Sequence, residues 1–200
     1  MGQLSPQHAL ELVTAPTTTP ITAAEAKTQM RVEHTDDDTL IARLVDVAVA
    51  FCDAKGALGK AMITQTWAQW LAPNPSTVRL LLGPVQSVSA VKYYNASNVL
   101  TTDTLSNYDV LGTSTYTTVK PKTGYTWPTT YNRDDAIKIE YTVGYGDATT
   151  DVPQNVRHAL MMLVAHWYEN RENELIGVSS QTLPFGFEEL LGQDRAHWYG

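Results

Sequence analysis

Apolar positions recur every three to four residues at both ends of the chain and every second residue through its middle, so helices flank a β-rich centre. The first helix is announced by Thr22-Ala23-Ala24-Glu25, a capping box in which each side chain satisfies the other residue's free backbone donor. It runs to about Met30. Asp36-Asp37-Asp38 then supplies an N-cap and negative charge where a helix dipole favours it. The spacing that follows places Leu40, Ile41, Leu44, Val47, Ala48 and Phe51 on one helical face, closed by Gly56 and Gly59. Near the other end, Val152-Pro153 opens the longest helix, with the proline at a tolerated first-turn position. Its stripe is Val156, Ala159, Leu160, Leu163, Val164 and Trp167, followed by polar Arg171 to Glu174 and a stop at Gly177. A short helix over roughly 186–191 carries Phe187, Leu190 and Leu191.

Strand patterns fill residues 62–145. Ile63 to Trp67, extended by Trp70 and Leu71, make one run; Val78 to Leu82 make a second; Val85 to Tyr94 make a third after Gly83-Pro84. Asn95 to Asn98 reads as a hairpin turn, Tyr108 to Leu111 as a strand, and Ala136 to Val143 as the last, cleanly alternating strand. The two prolines between Val119 and Arg133 predict an exposed loop or short hairpin. Threonine supports the division: of 26, 14 fall within 101–150 and one after 150, and this β-branched residue favours strands over helices. The expected fold is α+β, a helical bundle (N-terminal helix pair plus C-terminal long and short helices) with an inserted antiparallel β region. Its segments are an extended lead-in over 1–21, helices over 22–60, the β-rich insertion over 61–147, helices over 148–195 and a tail over 196–200.

Composition narrows the possible functions. The 200 residues are 43% hydrophobic and 18% charged, too apolar for a disordered chain. A net charge of −7 argues against sequence-independent nucleic-acid binding, which draws on Lys and Arg. Cys52 stands alone, so it forms neither an intrachain disulfide nor a cysteine metal site. With no membrane-length apolar run and no secretory or myristoylation pattern at the start, the expectation is a soluble protein made in a reducing cytoplasm.

Candidate chemistry is sparse. His34 with Asp36-Asp37-Asp38 could offer ligands to a hard cation and so mark a metal hydrolase, but consecutive residues at a helix start splay over a turn, and capping explains them better. His166 and Glu169 share a helix face in a single reversed copy of the di-metal Glu-x-x-His spacing. Ser179-Ser180 lacks a nucleophile elbow, Gly144 and Gly146 lack a phosphate-binding frame, and Cys52 reads as a small buried hydrophobe. No catalytic or cofactor-binding residue is expected. Trp67, Trp70, Tyr93, Tyr94, Tyr125, Trp127 and Tyr131 suggest an alternative, a non-catalytic ligand-binding module stacking on a carbohydrate or peptide. Trp198-Tyr199, close to the terminus, are either a docking anchor or fold back on their own domain.

The order of motifs resembles the head–tail connector (adaptor, or head-completion) proteins of long-tailed bacteriophages and phage-like gene transfer agents. The residues that carry this are Thr22 to Lys27 with Met30-Arg31-Val32 and Asp36 to Asp38; Ile63 to Trp67; Leu82 to Val85 with Ser87-Val88; Tyr141 to Gly146 before Val152-Pro153; His166 to Glu172; and Leu183 to Gly186 with Leu190-Leu191. They span about residues 12–195. The Thr-rich stretch from about 101 to 130 matches no family pattern.

The resemblance implies a structural virion protein whose copies form a closed ring of about twelve subunits. Such a ring lies under the portal at one capsid vertex, extends the DNA channel and receives the stopper or tail. It also implies portal docking by the C-terminal segment, with Leu183, Pro184, Phe185, Arg195, Trp198 and Tyr199 as candidates, and a subunit interface using Tyr168, Arg171 and Glu172. No cofactor, metal or membrane is implied. Genomic DNA would pass through the lumen unbound, and acidic walls would keep its phosphates from adhering.

Overall fold

In the computed structural model, which describes residues 10–113, 116–170 and 185–195, the chain folds as two units. One comprises Thr64–Gly144 with the strand before Pro16; the other comprises Thr17–Ile63 with the chain from Tyr145 onward. The protein is therefore mixed α+β.

Among the described residues, the first unit holds eight strands, β1 (Leu10–Thr14), β2 (Gln65–Leu71), β3 (Val78–Arg79), β4 (Val85–Tyr94), β5 (Leu100–Asp103), β6 (Tyr108–Thr113), β7 (Tyr116–Pro121) and β8 (Ile137–Val143). An antiparallel five-stranded sheet runs β1-β2-β8-β4-β5, and a three-stranded sheet runs β3-β7-β6. Central β8 shows why it forms: Ile137, Ile139, Tyr141 and Val143 are buried while Lys138, Glu140 and Thr142 are only partly covered, the period-two pattern of a strand with one inward face. Trp67 of β2 lies opposite Tyr141, and Val91 of β4 lies opposite Ile139. Two register shifts in β4, between Val85 and Ser87 and between Val88 and Ala90, are bulges of the kind that bend and twist a strand. The turn between β4 and β5 is built by Asn95, whose Oδ1 accepts the amides of Ser97 and Val99 at 2.9 and 3.1 Å. Asn98 takes the left-handed conformation (φ 59°) that asparagine tolerates.

The extended lead-in supplies a strand of its own, because β1 pairs with β2 (Leu10 opposite Gln69, Leu12 opposite Trp67). Two expectations need correction in this unit. The run Val78 to Leu82 forms a strand only to Arg79, with one further backbone bond from the Leu80 amide to the Thr117 carbonyl at 2.9 Å; buried Gln69 then substitutes a side chain for a strand, accepting from the Leu81 amide and donating to the Arg79 carbonyl, both at 3.0 Å. The region from Val119 to Arg133 is not simply an exposed loop. Val119 lies inside β7 and is fully buried, and buried Trp127 donates Nε1–H to the Pro75 carbonyl at 2.5 Å. Tyr108 packs against Trp127 and edge-on to Tyr125, which gives the smaller sheet its aromatic core.

The second unit holds α1 (Ala23–Met30), α2 (Asp38–Cys52), α3 (Gln154–Glu169) and α4 (Phe185–Gly192), which share one apolar core. At α1 the capping box is present in full: Thr22 Oγ1 accepts the Glu25 amide at 3.2 Å and Glu25 accepts the Thr22 amide at 2.8 Å. The inward face of α2 is Ile41, Val45, Ala48 and Cys52, rotated from the expected stripe, which leaves Val47 and Phe51 exposed. Small Ala48 and Cys52 allow close approach of the helices, while Phe51 lies at the margin, edge-on to Trp167 and tilted against Phe187. The stripe of α3 is buried as its spacing predicts, with one unexpected member, Arg157.

Candidate functional site

The acidic run at the start of α2 divides between two tasks. Asp37 occupies the N-cap position without a side-chain cap hydrogen bond; its carboxylate instead accepts the Tyr168 hydroxyl at 2.6 Å. Asp38, in the first turn, pairs with Lys27, whose ammonium also reaches the His34 carbonyl at 2.7 Å. Asp37 thus keeps the expected N-cap position and Asp38 the first-turn charge, while their side chains tie the entry of α2 to α1 and to the end of α3. Among the described residues, no three His, Cys, Asp or Glu side chains converge as a metal site.

At the C-terminal end of α3, Asn170 caps the helix by donating from its amide and its side chain to the His166 carbonyl. Tyr168, half-buried, is directed to Asp37 of its own chain. Arg171 and Glu172, the other two interface candidates, lie outside the described residues, as do Leu183, Pro184, Trp198 and Tyr199. Phe185 begins α4.

Arg195 is the portal-docking candidate whose side-chain contacts the structure describes, and it ends a tightly held segment. Its Nε donates to the Ala57 carbonyl at 2.7 Å and its guanidinium pairs with Glu188 at 3.3 Å. One residue earlier, Asp194 accepts from Asn155 at 2.7 Å and from the Tyr145 hydroxyl at 3.3 Å, with Lys60 Nζ at 4.0 Å. Asn155 also donates to the Leu190 carbonyl at 3.1 Å. Burial together with the charge and hydrogen bond of Asp194 pushes the Tyr145 phenol upward, so the hydroxyl stays a donor. These bonds hold the end of α4 against α3 and against the turn after α2.

Two features escaped sequence reasoning. Arg157, 7% exposed, donates from Nε to the Pro20 carbonyl at 3.1 Å and pairs with the Glu25 carboxylate, which also serves the capping box. An open cleft of about 540 Å³ beside it is lined by Glu25, Arg31, Gln154 and Met161 among others. A lone arginine inside an apolar stripe was the available signal. In the β unit, Asp103 accepts the hydroxyls of both Tyr108 (2.5 Å) and Tyr125 (2.8 Å), a pairing that no local spacing indicates.

The aromatic residues suggested as a ligand platform are largely engaged with one another. Trp67 and Trp127 are buried. Trp70 stacks on Tyr94 at 6.2 Å, with Lys138 over the first ring and Arg133 over the second. Trp70 also donates Nε1–H to Glu11 at 2.9 Å. Tyr131 remains exposed.

Comparison with known proteins places this architecture. The chain resembles, over its whole length, a chain in the neck of an empty gene transfer agent (GTA) particle computed with C6 symmetry: TM-score 0.76, 20% identity, with 96% of this chain and 97% of that chain covered. A chain of the native GTA virion gives a TM-score of 0.73 at 20% identity, and one from the neck of the native particle computed with C12 symmetry gives 0.72 at 21%, each with the same coverage. At such identities the likeness is one of fold. Among curated proteins, a sequence comparison finds no match. The family model for head completion proteins (HCP) matches residues 19–188, in agreement with the resemblance read from the motifs, and on that match the chain belongs to the head completion protein family.

Proposed function

We propose that this chain is a structural protein of a virion neck. Its copies assemble into a ring of about twelve between the portal vertex and the tail or stopper, extending the channel through which DNA leaves. The observation that carries this is the family match combined with end-to-end likeness of fold to chains found in GTA necks. The role is architectural and not catalytic.

In this reading the C-terminal segment from about Leu183 to Gly200 docks on the portal, with Phe185, Arg195, Trp198 and Tyr199 as anchors. The network at Asp194 and Arg195 supports it, since a fixed helix end lowers the entropic cost of ordering the residues beyond it. Tyr168, Arg171 and Glu172 are the candidates for contact with a neighbouring subunit, since Tyr168 ends the helix face from which that segment continues. The net charge of −7, repeated around a ring, would repel phosphates within about 10 Å in ordinary salt, so DNA slides without adhering.

Disrupting the gene for this chain in the producing cell tests the role. Filled heads and free tails should accumulate separately. Tailed, infective or transducing particles at the normal yield would overturn it.

A further inference from the structure

The hairpin of β6 and β7 has properties that its own unit does not use. From Val110 to Val119 the sequence carries no charge and no proline, in a chain whose net charge is −7. Asp109 and Lys120 lie directly opposite each other at its base. Beyond that pair β6 is exposed on both faces: Val110 is 45% and Leu111 46% accessible, although successive side chains point to opposite sides. Tyr116, across the ribbon, is also exposed, with Arg79 over its ring at 4.5 Å. The ribbon is nevertheless firmly built. Gly112 sits at φ 110°, where an added Cβ would lie 2.0 Å from the Tyr116 carbonyl oxygen, and Thr117 Oγ1 donates to the Thr113 carbonyl at 2.7 Å. An uncharged, β-prone ribbon that is open on its outer strand favours pairing with another strand.

The same unit offers a strand to pair with. β1 forms one edge of the five-stranded sheet, contains neither lysine nor proline, and exposes Leu12 (44%) and Val13 (45%). The ribbon starts from the opposite edge: β5 ends at Asp103, a single 3-10 turn (Leu105–Asn107) follows, and β6 begins at Tyr108, whose hydroxyl is held by Asp103. Three strands separate β5 from β1, so the two edges lie about 19 Å apart across the sheet. Two different, mutually complementary patches on opposite edges of one unit are what a head-to-tail ring contact requires. DNA and acidic partners are poor occupants for a ribbon that has no cationic side chain beyond Lys120, which faces Asp109 at its base.

We propose that the β6–β7 ribbon of one copy adds to the β1 edge of the next copy by strand pairing, with Val110 and Leu111 packing around Leu12 and Val13. This rests on the ring reading above and names the contact that closes the ring.

The test uses particles made with Val13→Cys and Leu111→Cys in the same chain, treated with a short bifunctional maleimide and run on a denaturing gel. A ladder of this chain beyond the dimer is expected. Single-substitution particles should give none, because Cys52 is buried. Only monomers, only dimers, or a cross-link from Leu111→Cys to a different virion protein would overturn the proposal. Leu111→Lys provides a second arm: tailed-particle yield should fall at least about tenfold while the purified variant melts as the wild type does. Normal yield would also overturn the contact. The two readings fail differently. If the chain is missing from the virion, the neck role falls and the contact with it; if the chain is present but unlinked, only the contact falls.

Discussion

Removing the guanidinium of Arg157 should destabilise the helical unit by an amount its surroundings allow to be worked out. Arg157→Met retains an apolar stem of similar length inside the α3 stripe and deletes the donors. The Pro20 carbonyl then loses its partner at a buried residue, a loss of about 1–3 kcal/mol. The Glu25 side chain is 37% exposed, so water replaces much of what it loses, and that part is limited to about 1 kcal/mol. The sum is about 2–4 kcal/mol. Glu25→Gln keeps an acceptor for the capping box but leaves a nearly buried cation facing a neutral amide, with a cost of about 1–2 kcal/mol. Because the two residues share one bond, the double variant should fall short of the sum by about 0.5–3 kcal/mol.

Urea unfolding followed at 222 nm measures all three variants. A loss below about 0.5 kcal/mol for Arg157→Met, a value typical of an unremarkable surface change, would refute the reasoning. So would strict additivity. Acid titration gives an independent check. Burial alone would raise the Glu25 carboxyl, but the Thr22 amide and hydroxyl and the Arg157 guanidinium outweigh it and hold it below its usual 4.5. A folded-state pKa below the unfolded one contributes stability above about pH 4.5 that is lost as pH falls through the folded value. Arg157→Met should flatten that acid limb.

Four further outcomes are expected. Cys52, fully buried with its thiol pushed up to about 12 by burial and by the charges of Asp53 and Glu188, should react with a maleimide at neutral pH only as fast as the helical unit opens; immediate stoichiometric labelling of the native chain would contradict this. Asp103→Asn weakens both tyrosine hydrogen bonds and should lower the stability of the β unit by about 2 kcal/mol. Burial, with the hydrogen bond and charge of Asp103, raises the Tyr108 phenol, so its neutral form stabilises the fold below about pH 10 and this is lost at higher pH; absorbance at 295 nm should show at least one tyrosine that ionises only on unfolding, and all ten titrating together would refute it. Gly56→Ala should cost about 3 kcal/mol in thermal unfolding, since its Cβ would lie 2.2 Å from the Phe51 carbonyl oxygen, and an unchanged melting temperature would disprove that packing.

Local signals proved legible where a few neighbouring residues decide the outcome. The Thr22–Glu25 box, the full length of β4 from Val85 to Tyr94, and the Asn95 turn are each determined by chemistry within a few residues. What escaped depends on partners distant in sequence. β1 is only five residues long and becomes a strand because β2, more than fifty residues on, lies beside it. β7 was hidden by Pro121, which sits at its last position, where a missing amide is tolerated. The face of α2 turned toward Val45 and Cys52 because helix packing, and not the largest apolar side chains, selects what is buried. Charged residues read as solvent-facing, so neither the inward turn of Arg157 nor the bond between Asp37 and Tyr168 was anticipated. Family membership was legible because it lies in the order of short motifs along the chain, which no single element reveals.

The neck-ring role is tested most directly by electron cryomicroscopy of purified portal incubated with this protein. A closed ring of copies at the portal's narrow end, with the C-terminal residues after Arg195 against the portal, is the expected result. A portal reconstruction with no added density there, at protein concentrations that saturate binding, would contradict it.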